Sequence, residues 1–371
     1  MKVHIITGHY YPQIHPRAFR ANELALEMVR RGFDVTVTNC WTIVGFDYEK
    51  YGLENGLTIR NLNIFSSNMD NTIHTAMHKS FRSGVLKKIK EYFLGDSLLY
   101  RGPLIGNKLE IEVDTDLVIV LSTPFTCQYG FSIYSRKKGL KTVAIADSGD
   151  PFYGSKQTPR AIWFKWLERR VYKRFNFLTI PTKNAISLYS NLIEKEKIAV
   201  IPQGFRMDNL KLYEGERLLP VKFAYAGVFY WDIRNPEFLF KYLEGLGDVP
   251  FEFNVYMRGV DARLETVLEK YPTVKSKMNI RYSLPHDELL YELSKMHFLI
   301  NIENLSNTQM PSKLIDYGMT GRPILSCNET NFKPEMLNAF MNGNYEGAYE
   351  IDIKKYDIRH IADQFLALKD R

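Results

Sequence analysis

Short, continuous apolar runs alternate with amphipathic helical patterns along this chain, and the series starts twice. "KVHIIT" (Lys2–Thr7) leads into "RANELALEMVRRG" and then "FDVTVT". In the middle segment Ala21, Leu24, Ala25, Met28 and Val29 fall on one helical face, and Gly32 stands where a left-handed cap belongs. The runs Leu117–Ser122, Lys141–Ser148 and Phe177–Thr182 are continuous and rich in β-branched residues, as strands covered on both faces must be. These features predict a parallel sheet built from βαβ units.

After "IPQGF" (Ile201–Phe205) the grammar restarts, with "KFAYAG", "FEFNVYMRG", "NIRYS", "FLINIEN" and "PILSC" as strands and helices from Pro236, Asp261, His286 and just after Pro311. The restart predicts a second α/β domain, which suits 371 residues better than a single core does. The boundary is expected between Pro202 and Leu219. The last helical segment, Asp357–Lys369, puts Ile358, Ile361, Phe365 and Leu368 on one face and needs a partner surface. Between a first hairpin-like region and Leu117 lies "NTIHTAMHKSFRSGVLKKIKEYFLGDSLLYRG", which reads as helical in places and carries no clear fold role.

At 45% hydrophobic and 25% charged residues the composition is that of a soluble globular protein. Cys40, Cys127 and Cys327 are odd in number, far apart and set in or beside apolar runs. They read as reduced structural residues, not as a disulfide framework or zinc cluster. "MKVHIITGHYYP" reads as a first strand and not as a signal peptide. No run reaches the roughly 18 apolar residues of a spanning helix, so any membrane contact is expected to be peripheral. The net charge of +7 favours anionic ligands but decides nothing alone.

Three loops carry residues suited to ligand chemistry. The first, Gly8–Leu24, follows the first strand and offers Gly8, His9, Arg17 and Arg20 at the carboxyl edge where open parallel sheets bind ligands. It lacks G-x-G-x-x-G, which argues against a dinucleotide. In "AGVFYWDIRNPEFLF" Gly227 lets the backbone approach a ligand, while Asn235 and Pro236 suit a helix start. Arg234 then stands at a helix N-terminus, where its fork and the helix dipole act on one anion. In "NTQMPSKLIDYGMTGRPILS" (Asn307–Ser326) Lys313 and Asp316 lie one turn apart, a lysine for phosphate and an acid for ribose hydroxyls. The plainer alternative is a surface salt bridge between them. Gly318 and Gly321 are expected to let this helix pack close to the sheet. "VDTDL" (Val113–Leu117) precedes a strand, so Asp114 and Asp116 read as a turn and no metal is assigned.

In their order, "YYPQ", "PRAFRANELALEMVRRGFDVTV", "STPF", "DSGDPF", "IPQGF", "YAGVFYWDIRNP" and "PSKLIDYGMTGRPIL" resemble family 4 of the nucleotide-sugar glycosyltransferases over nearly the whole chain. The resemblance implies the α/β fold called GT-B, two Rossmann-like domains with parallel sheets facing across a cleft. It implies an acceptor-side domain of residues 1–202 plus 350–371 and a nucleotide-sugar-binding domain of residues 203–349. Arg234 and Lys313 correspond to the family's diphosphate cations, joined on the donor side by Gly227 and Ser312. Asp316 matches the second acid of its Glu-x7-Glu motif. Thr308 stands where the first acid would be, and Glu303 is the nearest acid to replace it. On the acceptor side the matching positions are His9, Arg17, Asp147 and Asp150, with Asp150 the carboxylate placed for catalysis beside Arg234 and Lys313.

The implied activity is transfer of a sugar, with retention of configuration, from a nucleotide-diphosphate donor to a saccharide or lipid-linked saccharide in surface polysaccharide biosynthesis. No cofactor or metal is implied. A non-hydrolysing nucleotide-sugar epimerase and a non-catalytic nucleotide-binding GT-B subunit are the alternatives. Phe81–Leu94 and Pro159–Phe177 combine basic residues with Trp163, Phe164 and Trp166, which suits an anionic membrane surface. The expected location is cytoplasmic and peripheral to the inner face of the plasma membrane. No nucleic-acid-binding motif is present.

Overall fold

The computed structural model describes residues 1–13, 15–68, 89–95, 98–154, 159–208, 210–257, 259–282, 284–303 and 313–371. The chain divides into two compact units, Met1–Arg206 with Lys355–Arg371, and Met207–Lys354.

The first unit is built on seven strands: β1 (Lys2–Thr7), β2 (Asp34–Val44), β3 (Thr58–Asn68), β4 (Leu117–Leu121), β5 (Val143–Asp147), β6 (Phe177–Ile180) and β7 (Ile198–Val200). They lie in the order β3-β2-β1-β4-β5-β6-β7, and every pairing is parallel. All five residues of β4 are buried, the burial that its unbroken apolar run requires. The strand order reverses between β1 and β4, so this is where an open α/β sheet leaves a crevice at its carboxyl edge. Gly8 sits at that point. A β-carbon there would lie 2.1 Å from Cδ of Pro124, so only glycine lets the β1 and β4 loops meet.

The first helix, Pro16–Arg30, begins with His15 accepting a hydrogen bond from the Arg17 backbone N–H and with proline in its first turn. Its buried face, Ala21, Leu24, Ala25 and Met28, packs with Val3, Ile5, Val35 and Val37 of the sheet. The closing helix, Ile358–Lys369, is capped by Asp357 and joins the same core through Ile358, Ile361, Phe365 and Leu368. Burying each of these large side chains contributes about 1.5–3 kcal/mol. Phe205 pairs with Asp357 in a single parallel bridge, so the segment leaving the first unit and the segment returning to it run side by side. The region after β2 is not a hairpin. The helix Tyr48–Asn55, capped by Asp47 and ended by Gly56 at φ 68°, carries the chain over to a parallel β3.

The second unit holds β8 (Val221–Ala226), β9 (Phe251–Met257), β10 (Met278–Tyr282), β11 (Phe298–Ile302) and β12 (Ile324–Cys327). They are parallel in the order β10-β9-β8-β11-β12, with the reversal between β8 and β11. Phe223, Phe253 and Phe298 stack across three adjacent strands at centroid distances of 4.9 and 5.0 Å. Among the described residues no helix is long and apolar enough to cross a membrane.

Candidate active site

In the second unit, three of the residues singled out by sequence gather where the strand order reverses. Gly227 follows β8 at φ 134°, a conformation that side chains rarely adopt, and its N–H bonds to the Tyr256 carbonyl at 2.9 Å. Arg234 ends the loop that follows. The helix after it spans Glu237–Glu244, one residue later than Pro236, and Asn235 Oδ1 accepts from the Glu237 N–H at 3.0 Å. The asparagine thus satisfies the first N–H of this helix from the residue before the cap position, which Pro236 occupies.

Lys313 opens the helix Lys313–Thr320 and is buried. Its Nζ lies 3.5 Å from the carbonyl of Ile302, the last residue of β11, and 4.2 Å from the centroid of the Tyr225 ring. It is not paired with Asp316, so the surface salt bridge is not what this spacing encodes. Burial, and after it the neighbouring Arg234 charge, push the Lys313 ammonium well below its ordinary pKa. Tyr225 stands close to both cations: its hydroxyl donates to the Val228 carbonyl at 3.0 Å, the Arg234 charge acts on it, and Lys313 lies over its ring. Among the described residues no carboxylate answers Lys313. Two positive groups near the carboxyl ends of adjacent strands can together hold an anion of two phosphates.

Asp316 is half-buried, and its Oδ1 lies 2.9 Å from Nε2 of His286, the first residue of the helix His286–Ser294. Neither Tyr225 nor His286 was legible as a site residue. The only sequence signals were a tyrosine two positions before Gly227 and a histidine opening a helix. Glu303 does not stand open beside the donor residues. It accepts hydrogen bonds from Ser326 at 2.8 Å, Asn328 at 3.1 Å and Asn331 at 3.0 Å, and so braces the turn after β12. Gly318 also differs from expectation. It faces Ile351 and Ile353, whose methyl carbons would lie 2.6 and 2.5 Å from a β-carbon, and not the sheet. Thr308 and Ser312 lie outside the described residues.

In the first unit, Arg17 and Asp147 belong to a buried ion cluster and not to an open acceptor surface. Arg17 Nη2 approaches Asp147 Oδ2 at 2.5 Å, while Arg20 spans both carboxylate oxygens at 2.7 and 2.8 Å. Thr179 adds a fourth contact at 2.7 Å, and Arg17 also donates to the Ser122 carbonyl. Burial alone would raise the Asp147 pKa, but the two guanidinium groups outweigh it and hold the carboxyl down at about 2. Arg20 continues to the carbonyls of Ile201 and Pro202. The cluster ties the first helix to the ends of β4, β5 and β6, which makes these residues positioning groups.

Asp150, three residues further on, is exposed. Its loop is held from beneath by Glu168, a fully buried acid that accepts from the backbone N–H groups of Phe152 and Tyr153 at 3.0 and 2.8 Å. His9 is half-buried at the end of β1, stacked between His15 at 4.2 Å and Trp41 at 5.2 Å, with its Nδ1 2.6 Å from Gln13 Oε1. Asp114 and the backbone N–H partner of Asp116 belong to Lys2, at the amino edge of the sheet and away from this crevice.

No protein-family model matches the chain, and no curated protein matches it in sequence. Solved structures match it along its whole length. TarM aligns with a TM-score of 0.61 at 9% identity, covering 100% of this chain and 99% of TarM. A mutant TarM from S. aureus, solved with fondaparinux, alpha-GlcNAc-glycerol and UDP, gives 0.53 at 10% identity over 100% of this chain and 93% of that one. The lipopolysaccharide outer core galactosyltransferase WaaB gives 0.54 at 11% identity, over 100% and 97%. A protein from Listeria monocytogenes assigned as a UDP-N-acetylglucosamine 2-epimerase gives 0.52 at 12% identity, over 99% and 95%. With two parallel-sheet α/β domains of seven and five strands and these neighbours, the chain has the GT-B fold.

Proposed function

We propose that this protein is a glycosyltransferase that takes a sugar from a nucleotide-diphosphate donor and passes it to a saccharide or lipid-linked saccharide acceptor in surface polysaccharide assembly. The observation that carries the reading is buried Lys313, which lies over the Tyr225 ring and reaches the end of β11, with the charge of Arg234 acting on both Lys313 and Tyr225. Breaking a sugar–phosphate bond leaves charge on the departing diphosphate. Groups fixed in advance around that charge lower the barrier, and losing one such donor typically costs roughly 10²–10³ in rate. Lys313, desolvated before any ligand arrives, interacts with a phosphate far more strongly than a solvated lysine would. Asp316, oriented by His286, is placed to accept from ribose hydroxyls.

In the retaining course the departing phosphate takes the proton of the acceptor hydroxyl, and the exposed carboxylate of Asp150 orients that acceptor. No metal or cofactor enters this scheme. The protein would work in the cytoplasm, peripheral to the inner face of the plasma membrane.

Purified protein incubated with UDP- and GDP-sugars tests the reading. A nucleotide diphosphate at about 100 times its Kd should raise stability by roughly 2.7 kcal/mol, and the corresponding nucleoside much less. Transfer, or slow release of free sugar and nucleotide, is the expected turnover. An epimerised nucleotide sugar would instead favour the epimerase, the reading that the Listeria neighbour supports. Binding without any turnover would favour a non-catalytic subunit.

A further inference from the structure

One face of the first unit gathers several exposed large apolar side chains. At the start of the helix Trp163–Tyr172, Trp166 is 72% exposed and Ile162 and Trp163 are also open to solvent. Residues 89–94 are helical and lie against this end, presenting Tyr92, Phe93 and Leu94. Trp163 joins the two segments. Its ring stacks on Phe93 at 5.8 Å and its Nε1–H donates to the Phe93 carbonyl at 3.1 Å, while the Ala161 N–H bonds to the Tyr92 carbonyl at 3.0 Å. The patch is thus one surface made from two stretches of chain.

Its rim is cationic. Arg169, Arg170 and Lys173 follow Trp166 at helical spacings of three, four and seven, so they continue the same face. With Trp166 and Leu167 they line a groove of about 640 Å³. A second groove of about 450 Å³ shares Arg169 and Lys173. None of the three cations has a carboxylate partner among the described residues. Cations at a helix C-terminus are also favoured by the macrodipole, but that gives no reason for two exposed tryptophans a turn ahead of them. Aromatic side chains beside a row of basic ones fit a lipid headgroup layer, with rings at the level of the acyl boundary and guanidinium groups on phosphate.

We propose that the face formed by Trp163, Trp166, Phe93 and Leu94, with Arg169, Arg170 and Lys173 along its rim, docks this protein on an anionic lipid bilayer. This deepens the peripheral location proposed above, on which it rests, by naming the surface, and it does not depend on the donor site. Sedimentation with vesicles of phosphatidylcholine alone, or of phosphatidylcholine and phosphatidylglycerol in equal parts, tests it. Binding to the anionic vesicles should be at least about tenfold stronger and should fall as salt is raised.

The double change Arg169→Gln and Arg170→Gln should weaken that binding by about 25-fold, roughly fivefold per cation. Trp166→Ala should weaken it by about tenfold or more. Both variants change exposed residues and should melt with wild-type protein, so loss of fold is separable from loss of docking. Equal binding to both kinds of vesicle, or full binding by Trp166→Ala, overturns the proposal. So does a dimer in vesicle-free buffer that Trp166→Ala dissociates, because the patch would then cover a second copy. The assay contains no nucleotide, so its failure leaves the donor reading standing, and failure to bind nucleotide leaves the docking surface standing.

Discussion

The Lys313 ammonium lies 4.2 Å from the centroid of the Tyr225 ring and is shut away from solvent with it. A cation gains something from an aromatic face, on the order of 1–2 kcal/mol when desolvated. Burying an amine whose best hydrogen bond among the described residues is a 3.5 Å contact with a carbonyl costs at least as much. Among the described residues this buried charge is under-compensated, and an anion bound beside it would relieve that cost.

Lys313→Met should separate these costs. The methionine keeps the volume, so the free protein should gain about 1–3 kcal/mol in urea denaturation. Affinity for a nucleotide diphosphate should fall about tenfold to a hundredfold, the loss of one charged hydrogen-bonding group, with nucleoside affinity unchanged. The pH dependence has a definite sign. The folded pKa of Lys313 lies below its unfolded value of 10.5, so the unfolded chain binds the extra proton and wild-type stability rises with pH through that window. The slope should be absent from Lys313→Met. A variant that is less stable, or that binds diphosphate as wild type does, would place the anion elsewhere.

Asp147 should govern stability in acid. Its carboxyl is held at about 2 against an ordinary 3.8, so its contribution is complete above 3.8 and is lost as pH falls through about 2. The shift corresponds to roughly 2 kcal/mol. Asp147→Asn leaves Arg17 and Arg20 buried without their carboxylate and should cost about 3–5 kcal/mol at neutral pH. Denaturation curves at several acidic pH values check both statements, since the variant should lack the acid-dependent part. A loss well under 1 kcal/mol at pH 7 would mean that the two arginines reach solvent readily.

Much of the fold was legible because buried parallel strands must be apolar on both faces, and β1, β4, β5, β6, β8, β9, β11 and β12 are largely written that way, whereas the edge strand β10, with Asn279 and Arg281 exposed, was read from its place in the alternation. β3 was harder to read. Its strand is largely half-exposed, and the short crossover helix before it contains Gly52 and ends in Gly56, so it looks like a turn. At the site, Gly227, Arg234 and Lys313 were readable from local chemistry, since each sits next to a strand end or helix start. Their partners were not. Tyr225 and His286 meet Lys313 and Asp316 only through the parallel pairing of strands distant in sequence. The sequence "DSGDPF" offers two acids three residues apart, and nothing local tells that one ends a buried strand facing Arg17 and Arg20 while the other is in solvent. Glu168 was hidden more fully, as one acid within a basic amphipathic helix.

That acid supports the last prediction. Burial pushes the Glu168 carboxyl up to about 7, against the opposing hydrogen bonds from Tyr153, Phe152 and Tyr172 and the charge of Arg160. A raised acid binds its proton more readily in the folded protein than in the unfolded chain. Stability should therefore fall as pH rises from 4.5 through about 7. Glu168→Gln cannot ionise and should flatten that part of the curve. A glutamine offers only one acceptor oxygen, so one of the two N–H groups at Phe152 and Tyr153 loses its partner and the Asp150 loop loosens. If Asp150 orients the acceptor, the variant should raise the acceptor KM severalfold while donor affinity stays at the wild-type level. Initial rates across acceptor concentration, with donor titrated separately, distinguish this from a general loss of structure. An unchanged acceptor KM in a folded variant would detach Glu168, and the loop it holds, from acceptor binding.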